Sequence, residues 1–231
     1  GAMAQLLLSR GADPSAAAAG YTALHAAALR GDVETTRVLL GAKANVNALV
    51  THGSPVRRLS ADYSIRWQMI GVNALWIAAR LGHPDIVRAL LEQGATVTTL
   101  PADKTSALKA AMGFVTGVTE NREGRYGAPT LEHADEERLT LDIVTQLVEH
   151  GADVNGGNLP GDTPLHDAAR QRFNRVIEFL IAKGADVNAR NKRNQTPLAA
   201  VRTDLREAPP DSPFFDRQAT IDLLVKNGGT E

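Results

Sequence analysis

Six histidines, 26 acidic residues and no cysteine bound the side-chain chemistry open to this chain of 231 residues. The pair His166-Asp167 has the residue types of a general base and its orienting carboxylate. Adjacent helix positions point in different directions, so geometry argues against a shared relay. Glu132, His133 and Asp135 beside Glu136 and Glu137 could offer oxygen and nitrogen ligands to a metal. Metal sites usually draw fixed ligands from more than one element, and this cluster reads as a solvated helix start. The chain holds no Gly-x-Ser-x-Gly elbow, His-Glu-x-x-His, Walker-type loop or Gly-x-Gly-x-x-Gly. No catalytic residue, metal site or cofactor is therefore assigned. Without cysteine there are no disulfides, thiolate ligands or cysteine nucleophiles, and the compartment stays undecided.

What remains is the chemistry of recognition. Arg30, Arg80 and Arg170 each follow an Ala pair, and Arg57, Arg58, Arg66 and Trp67 form a basic, aromatic stretch shortly before Trp76. Arginine forks pair bidentately with carboxylates, and an aromatic anchor supplies desolvated contact area. These eight residues are the expected contacts for a protein or peptide partner of acidic character. Ordinary solubilising charge is the plain alternative for the arginines, and a packed core residue is the alternative for Trp76. Arg190, Lys192 and Arg193 add basic charge nearby. A net charge of −1 gives no global field for nucleic acid, and no reading module for it is visible. No apolar run approaches the roughly 18 residues of a membrane span. A monomer is expected.

The elements that must position these residues are clearest in Gly161-Asp-Thr-Pro-Leu-His-Asp-Ala-Ala-Arg170 and the residues after it. Thr163 is a good N-cap, and Pro164 falls at the first helical position, where its missing N–H is harmless. Leu165, Ala168 and Ala169 form a narrow apolar face that permits close approach of a neighbouring helix. A second apolar set, Val176, Ile177, Phe179, Leu180 and Ile181, recurs with helical spacing and stops at Gly184. Such a pair cannot bury both faces alone, so copies are required.

The copies exist. Leu165 has counterparts at Leu24, Leu75, Leu108 and Leu198, giving steps of 51, 33, 57 and 33 residues. The closing Gly184-Ala185 has counterparts at Gly11, Lys43, Gly94, Gly151 and Gly228. A 33-residue unit with this wording resembles the ankyrin repeat, over nearly the whole chain. The resemblance implies an all-α ankyrin-repeat solenoid of helix-turn-helix units with β-turn fingers: five repeats, an N-terminal half repeat and three insertions. It also implies that the motif histidines His25 and His166 tie adjacent loops together and are structural.

In order, we expect a half repeat over 4–19, a repeat over 20–48 and an inserted finger over 49–70. Further repeats follow over 71–98, 99–157 with an insertion over 119–138, 158–190, and 191–231 with an insertion at about 204–216. Lys43 stands where a glycine usually ends the outer helix, so that turn should be less regular than its sisters. Gly31 is expected as the left-handed residue between two helices. Asn73 and Trp76 replace the capping Thr and the motif His; Asn still caps, but Trp cannot reproduce a two-sided imidazole bridge. Lys109 and Ala199 fill the same slot later. The helix containing Lys109 should run toward Val118 or break at Gly113 or Gly117. The last outer helix, Ala219 to Lys226, lacks a polar capping repeat after it.

The finger over 49–70 resembles that of long-fingered bacterial ankyrin proteins, many of them exported. Gly1-Ala2-Met3 reads as a cloning remnant, which leaves room for a targeting segment or further repeats upstream. The resemblance implies a single domain acting as a non-enzymatic protein-binding scaffold, with the partner on the concave surface of inner helices and fingers. The rival is an enzyme or small-molecule binder whose pocket is roofed by the three insertions and lined by His52, Arg57, Arg58, Tyr63, Trp67 and Trp76. A deep enclosed pocket would favour the rival and an open groove the scaffold.

Overall fold

The structure, a computed structural model, describes residues 1–53, 65, 69–112, 133–203 and 217–231. After the first helix, the described helices come in pairs. A first helix, α1 (Ala2–Ser9), is followed by α2 (Ala23–Arg30) with α3 (Val33–Gly41), and α4 (Ala74–Arg80) with α5 (Pro84–Glu92). Next come α6 (Ala107–Met112) with α7 (His133–Glu149), α8 (Pro164–Gln171) with α9 (Asn174–Ala182), and α10 (Pro197–Arg202) with α11 (Arg217–Lys226). No strand occurs among the described residues.

The helices stack in two layers. In the inner one α2, α4, α6, α8 and α10 touch in that order; in the outer one α1, α3, α5, α7, α9 and α11 do the same. The register follows from the motif leucine. Leu24, Leu75, Leu108, Leu165 and Leu198 are all buried between the layers, and the Ala pairs beside them keep the inner helices close. Short apolar faces on the outer helices, such as Ile86, Val87, Leu90 and Leu91 of α5, close the core from the other side. Per buried side chain of this size the hydrophobic gain is about 1.5–3 kcal/mol, and it is available only where a neighbouring pair supplies the second wall.

At the two ends that wall is missing. Helix α1 has no buried residue; Met3, Leu6 and Leu7 are exposed, and Leu8 alone of them packs partly on the core. Helix α11 buries Thr220 and Leu224 only.

Helix punctuation follows the residue types. Pro164 and Pro197 stand at the first positions of α8 and α10, after Thr163 and Thr196. The Asn73 side chain caps α4 by accepting from the Trp76 amide at 3.1 Å. Gly31 is left-handed, with φ 69°. The turn at Lys43 corrects the expectation of irregularity. Lys43 adopts φ 65° and its amide bonds Leu40 O at 3.0 Å, while the Ala44 amide bonds Leu39 O at 3.0 Å. Gly184 and Ala185 make the same pair of bonds to Ile181 and Leu180. The backbone keeps the turn, and the side chain bears the left-handed strain instead, at about 1 kcal/mol.

Helix α6 is described as far as Met112, and the stretch expected to extend or break it lies outside the described residues, as do Glu132 and most of the finger over 49–70. The outer helix of that unit starts by His133, with Asp135 and Glu136 in its first turn, where the helix dipole favours acids. One part of the expectation needs correction: Glu136 is buried, not solvated. The last insertion, 204–216, is outside the described residues, and α11 is described from Arg217.

Candidate protein-binding face

One position of the inner helix, three residues after the cap, decides how each unit is joined to the next. At His166 the Nδ1 atom accepts from the Thr163 amide at 3.1 Å, and Nε2 lies 2.9 Å from the Gln195 carbonyl. Because Nδ1 is the acceptor, the neutral ring carries its proton on Nε2 and donates it to Gln195, the residue just before the cap of α10. His25 repeats the first half, with Nδ1 accepting from the Thr22 amide at 3.0 Å. Its Nε2 faces the backbone of Ala48 and Val72 without a hydrogen bond of normal geometry among the described residues. Burial holds both rings below the ordinary histidine range, against the raising effect of the facing backbone. His166-Asp167 is no relay: Asp167 points to Lys109 and Arg170 instead.

Trp76 makes one side of the bridge, in keeping with the expectation that it cannot reproduce both sides of an imidazole. Its indole N–H donates to the Thr105 carbonyl at 2.7 Å, and Thr105 holds the place in its unit that Gln195 holds in the last. The indole thus supplies the inter-unit half of the bridge, and Asn73 supplies the capping half. Lys109 solves the same problem by length and charge. Its side chain is 1% exposed, and its ammonium donates to the Thr163 carbonyl at 3.3 Å and pairs closely with the Asp167 carboxylate.

A second ladder runs along the fingers. Asn47, Asn155 and Asn188 each donate from Nδ2 to a carbonyl one unit on, at Gly94, Gly184 and Gly228. Each then accepts through Oδ1 from the amide two residues beyond, at Thr96, Asp186 and Thr230. Ser15 accepts the Asn45 amide in the same way, which ties α1 into the series. The recurring Val-Asn at 46–47, 154–155 and 187–188 was the available signal for this ladder.

The arginines expected to contact a partner sit at the C-terminal turns of the inner helices, where a cation also suits the helix dipole. Arg30 is exposed on α2. Arg80 is half-buried on α4, with its guanidinium carbon 5.5 Å from the Trp76 ring centroid, within cation–π range. Trp76 itself is 3% exposed, so it reaches this face only as the platform under Arg80. Arg170 differs. It donates to Asp162 at 2.8 Å and to Asp167 at 3.1 Å, inside a network that Lys109 and Asn191 complete. Burial opposes ionisation of Asp162, but hydrogen bonds from Arg170 and Asn191 and the charge of Arg170 win, bringing its pKa to about 2. Arg57, Arg58, Arg66 and Trp67 lie outside the described residues, so the structure does not bring them to the inner helices or away from them.

Sequence reasoning passed over an apolar component of the fingers. Leu49, Ile70, Leu100 and Leu159 are all 42–49% exposed. The fingers run side by side, since Leu159 donates to the Asp103 carbonyl at 2.9 Å and Gly71, next to Ile70, lies against Leu100 and Pro101. Arg190 is tied down, donating to the carbonyls of Asn194 and Glu231. The acidic start of α7 has local duties too. Glu137 accepts the Arg175 amide at 2.6 Å, Asp135 pairs with Arg138, and the His133 ring packs 5.0 Å from Phe173. Among the described residues no group of three possible ligands could hold a metal ion. His52, placed by the rival reading in a pocket, is exposed with its Nδ1 3.0 Å from Thr51 Oγ1.

Among curated proteins none matches the chain. The family model for ankyrin repeats (3 copies) matches residues 1–100, and that for ankyrin repeats (many copies) matches residues 147–199. Paired helices in two layers, joined through the motif histidine position and the finger asparagines, agree with both matches, and the chain belongs to the ankyrin repeat family.

Proposed function

We propose that this protein is a non-enzymatic scaffold that holds an acidic protein or peptide segment against the inner-helix and finger surface of its first units. Ankyrin repeats are in general protein–protein interaction modules. The observation that carries the finer reading is the placing of cations beside apolar finger tips: Arg30 is exposed in the last turn of α2, and Arg80 lies over the Trp76 ring in the last turn of α4. The described apolar tips at Leu49, Ile70 and Leu100 flank the same units and offer the desolvated area that a charged contact needs beside it. The sequence-based assignment of Arg57, Arg58, Arg66 and Trp67 to this surface is retained as part of the proposal.

The test begins with selection from a random peptide library on the folded protein. The reading expects acidic sequences with an apolar anchor. Arg30→Ala with Arg80→Ala should then weaken the selected peptides by about 2–4 kcal/mol at unchanged melting temperature. Basic or uncharged winners, or affinity indifferent to both substitutions, would reject it.

A further inference from the structure

The residues in the bridging position differ in one property that the bridge itself does not need, which is whether they can take up a proton. At His25 and His166 the Nδ1 atom accepts a backbone N–H, from Thr22 at 3.0 Å and from Thr163 at 3.1 Å. A second proton on the ring must go to that atom. It would then point a donor at a donor, inside a wall of buried residues where both rings are at most 1% exposed. The threonine hydroxyls, 2.8 and 2.9 Å away, could accept the new proton, but the amides would still face it. Trp76 has an N–H that does not titrate, and the Lys109 ammonium already carries its charge against Asp167. We propose that acidification loosens this stack selectively at the α2/α4 and α8/α10 contacts and leaves the central α4–α6–α8 block docked, a graded acid response built into the order His, Trp, Lys, His. The proposal stands independently of what the inner face binds.

The surroundings of the two rings support a response at both ends. Among the described residues around His25 the charged groups of the packed elements are Arg30 on its own helix, Asp32, Glu34 and Arg37 at and on α3, and Arg80 on α4, and the titratable residues His52 and His83 lie against Gly20 and Gly31 at the two ends of α2. None of these carboxylates acts on the ring, whose ionisation is governed by burial and then by the backbone of Ala48 and Val72. Around His166 the carboxylates of Asp162 and Asp167 favour a charged ring and Arg170 opposes it, yet burial outweighs them. Lys109 of α6 touches Thr163 O and Asp167. The finger before α10 brings Arg190, Lys192 and Arg193, α9 brings Arg175, Glu178 and Lys183, and Arg202 of α10 pairs with Glu231. His133 is a third ring held neutral by burial, but it belongs to the outer layer at the start of α7, so its protonation reads out there.

The sign follows from linkage. A histidine whose folded pKa lies below its unfolded value of 6.5 contributes its full share of stability above that pH, and the share is lost as pH falls toward the folded pKa. In that window each ring adds up to about tenfold per pH unit to the opening equilibrium of its own contact, hence up to roughly thirtyfold between pH 6.5 and 5.

Hydrogen exchange followed by mass spectrometry at pH near 7.5 and near 5, with times scaled for intrinsic exchange, tests this on the intact chain. Amides of α2 and α10 should lose protection by up to about thirtyfold relative to those of α6. A uniform loss across the inner layer, or none, would overturn the proposal. His25→Gln and His166→Gln should each abolish the pH effect at their own contact only; persistence of the effect in both would overturn it. Should either variant fail to fold, NMR titration of the two imidazoles in the unaltered protein decides. Midpoints below 6.5 support the device, and midpoints at or above 6.5 refute it.

Discussion

Lys109 and Asp167 form an ion pair across the contact between α6 and α8, with the lysine side chain 1% exposed and the aspartate side chain 25% exposed. The two partners are therefore not equivalent. Asp167 also pairs with Arg170 and is the more exposed partner, whereas among the described residues Lys109 has otherwise the Thr163 carbonyl. Lys109→Met should cost about 1–3 kcal/mol, because an apolar chain of similar length fills the site and Asp167 stays paired. Asp167→Ala should cost more, about 3–5 kcal/mol, because it strands a buried ammonium. Urea denaturation midpoints of the two variants check this ordering, and the reverse order would contradict the burial argument.

Lys43 is left-handed at φ 65° where the sister turns at Gly94, Gly151 and Gly184 have glycine. Its turn makes the same hydrogen bonds as theirs, so Lys43→Gly relieves side-chain strain and removes nothing that the fold uses. The glycine also loses more entropy on folding, by about 0.5–1 kcal/mol, which offsets part of the gain. A net stabilisation of no more than about 0.5 kcal/mol should appear as a slightly higher melting temperature. A lower one would show that Lys43 makes a contribution absent from its backbone geometry.

Both results bear on what a reader of the sequence could and could not foresee. The helices and their register were legible because Leu24, Leu75, Leu108, Leu165 and Leu198 recur with the same flanking alanines, and a buried apolar residue tolerates few alternatives at its place. His166 was legible through the family resemblance. The role of Lys109 was not, since it depends on a carboxylate 58 residues later that the stack alone brings within reach. That Trp76 cannot replace both sides of the imidazole was legible, but the one bond it makes was not, because the acceptor, Thr105 O, is a backbone atom without a sequence signal. Arg170 matches Arg80 by position in its repeat, and its bonds to Asp162 and Asp167 are visible only in the structure.

The end of the stack should open before its middle. Helix α11 buries two residues, Thr220 and Leu224, and is held sideways by Thr220 bonding Asn174 and by Thr230 bonding Asn188 and Thr196. Helix α9 buries Val176, Ile177 and Leu180 between neighbours on both sides. At neutral pH, amide exchange over Ala219 to Lys226 should exceed that over Val176 to Ile181 by well over tenfold. Equal protection would mean that the final pair is docked by contacts beyond those described.

Arg170 and Arg30 both lie in the last turn of an inner helix, yet their removal should have different consequences. Arg170→Ala leaves the mostly buried Asp162 with Asn191 as its remaining hydrogen-bond donor among the side chains that hold its pKa near 2. The desolvation that Arg170 had outweighed then acts on the carboxylate, so its pKa should rise. In the unaltered protein a depressed carboxylate pKa contributes stability that is full above about 3.8 and is lost as pH falls toward 2. The variant should be less stable by about 1–3 kcal/mol at pH 7, and its acid unfolding should begin at higher pH. Arg30→Ala, at an exposed helix end, should change stability by no more than about 0.5 kcal/mol at any pH. Circular dichroism through an acid titration separates the two. Should Arg170→Ala leave both the acid midpoint and the melting temperature unmoved, Arg170 would not be what keeps the Asp162 carboxylate ionised.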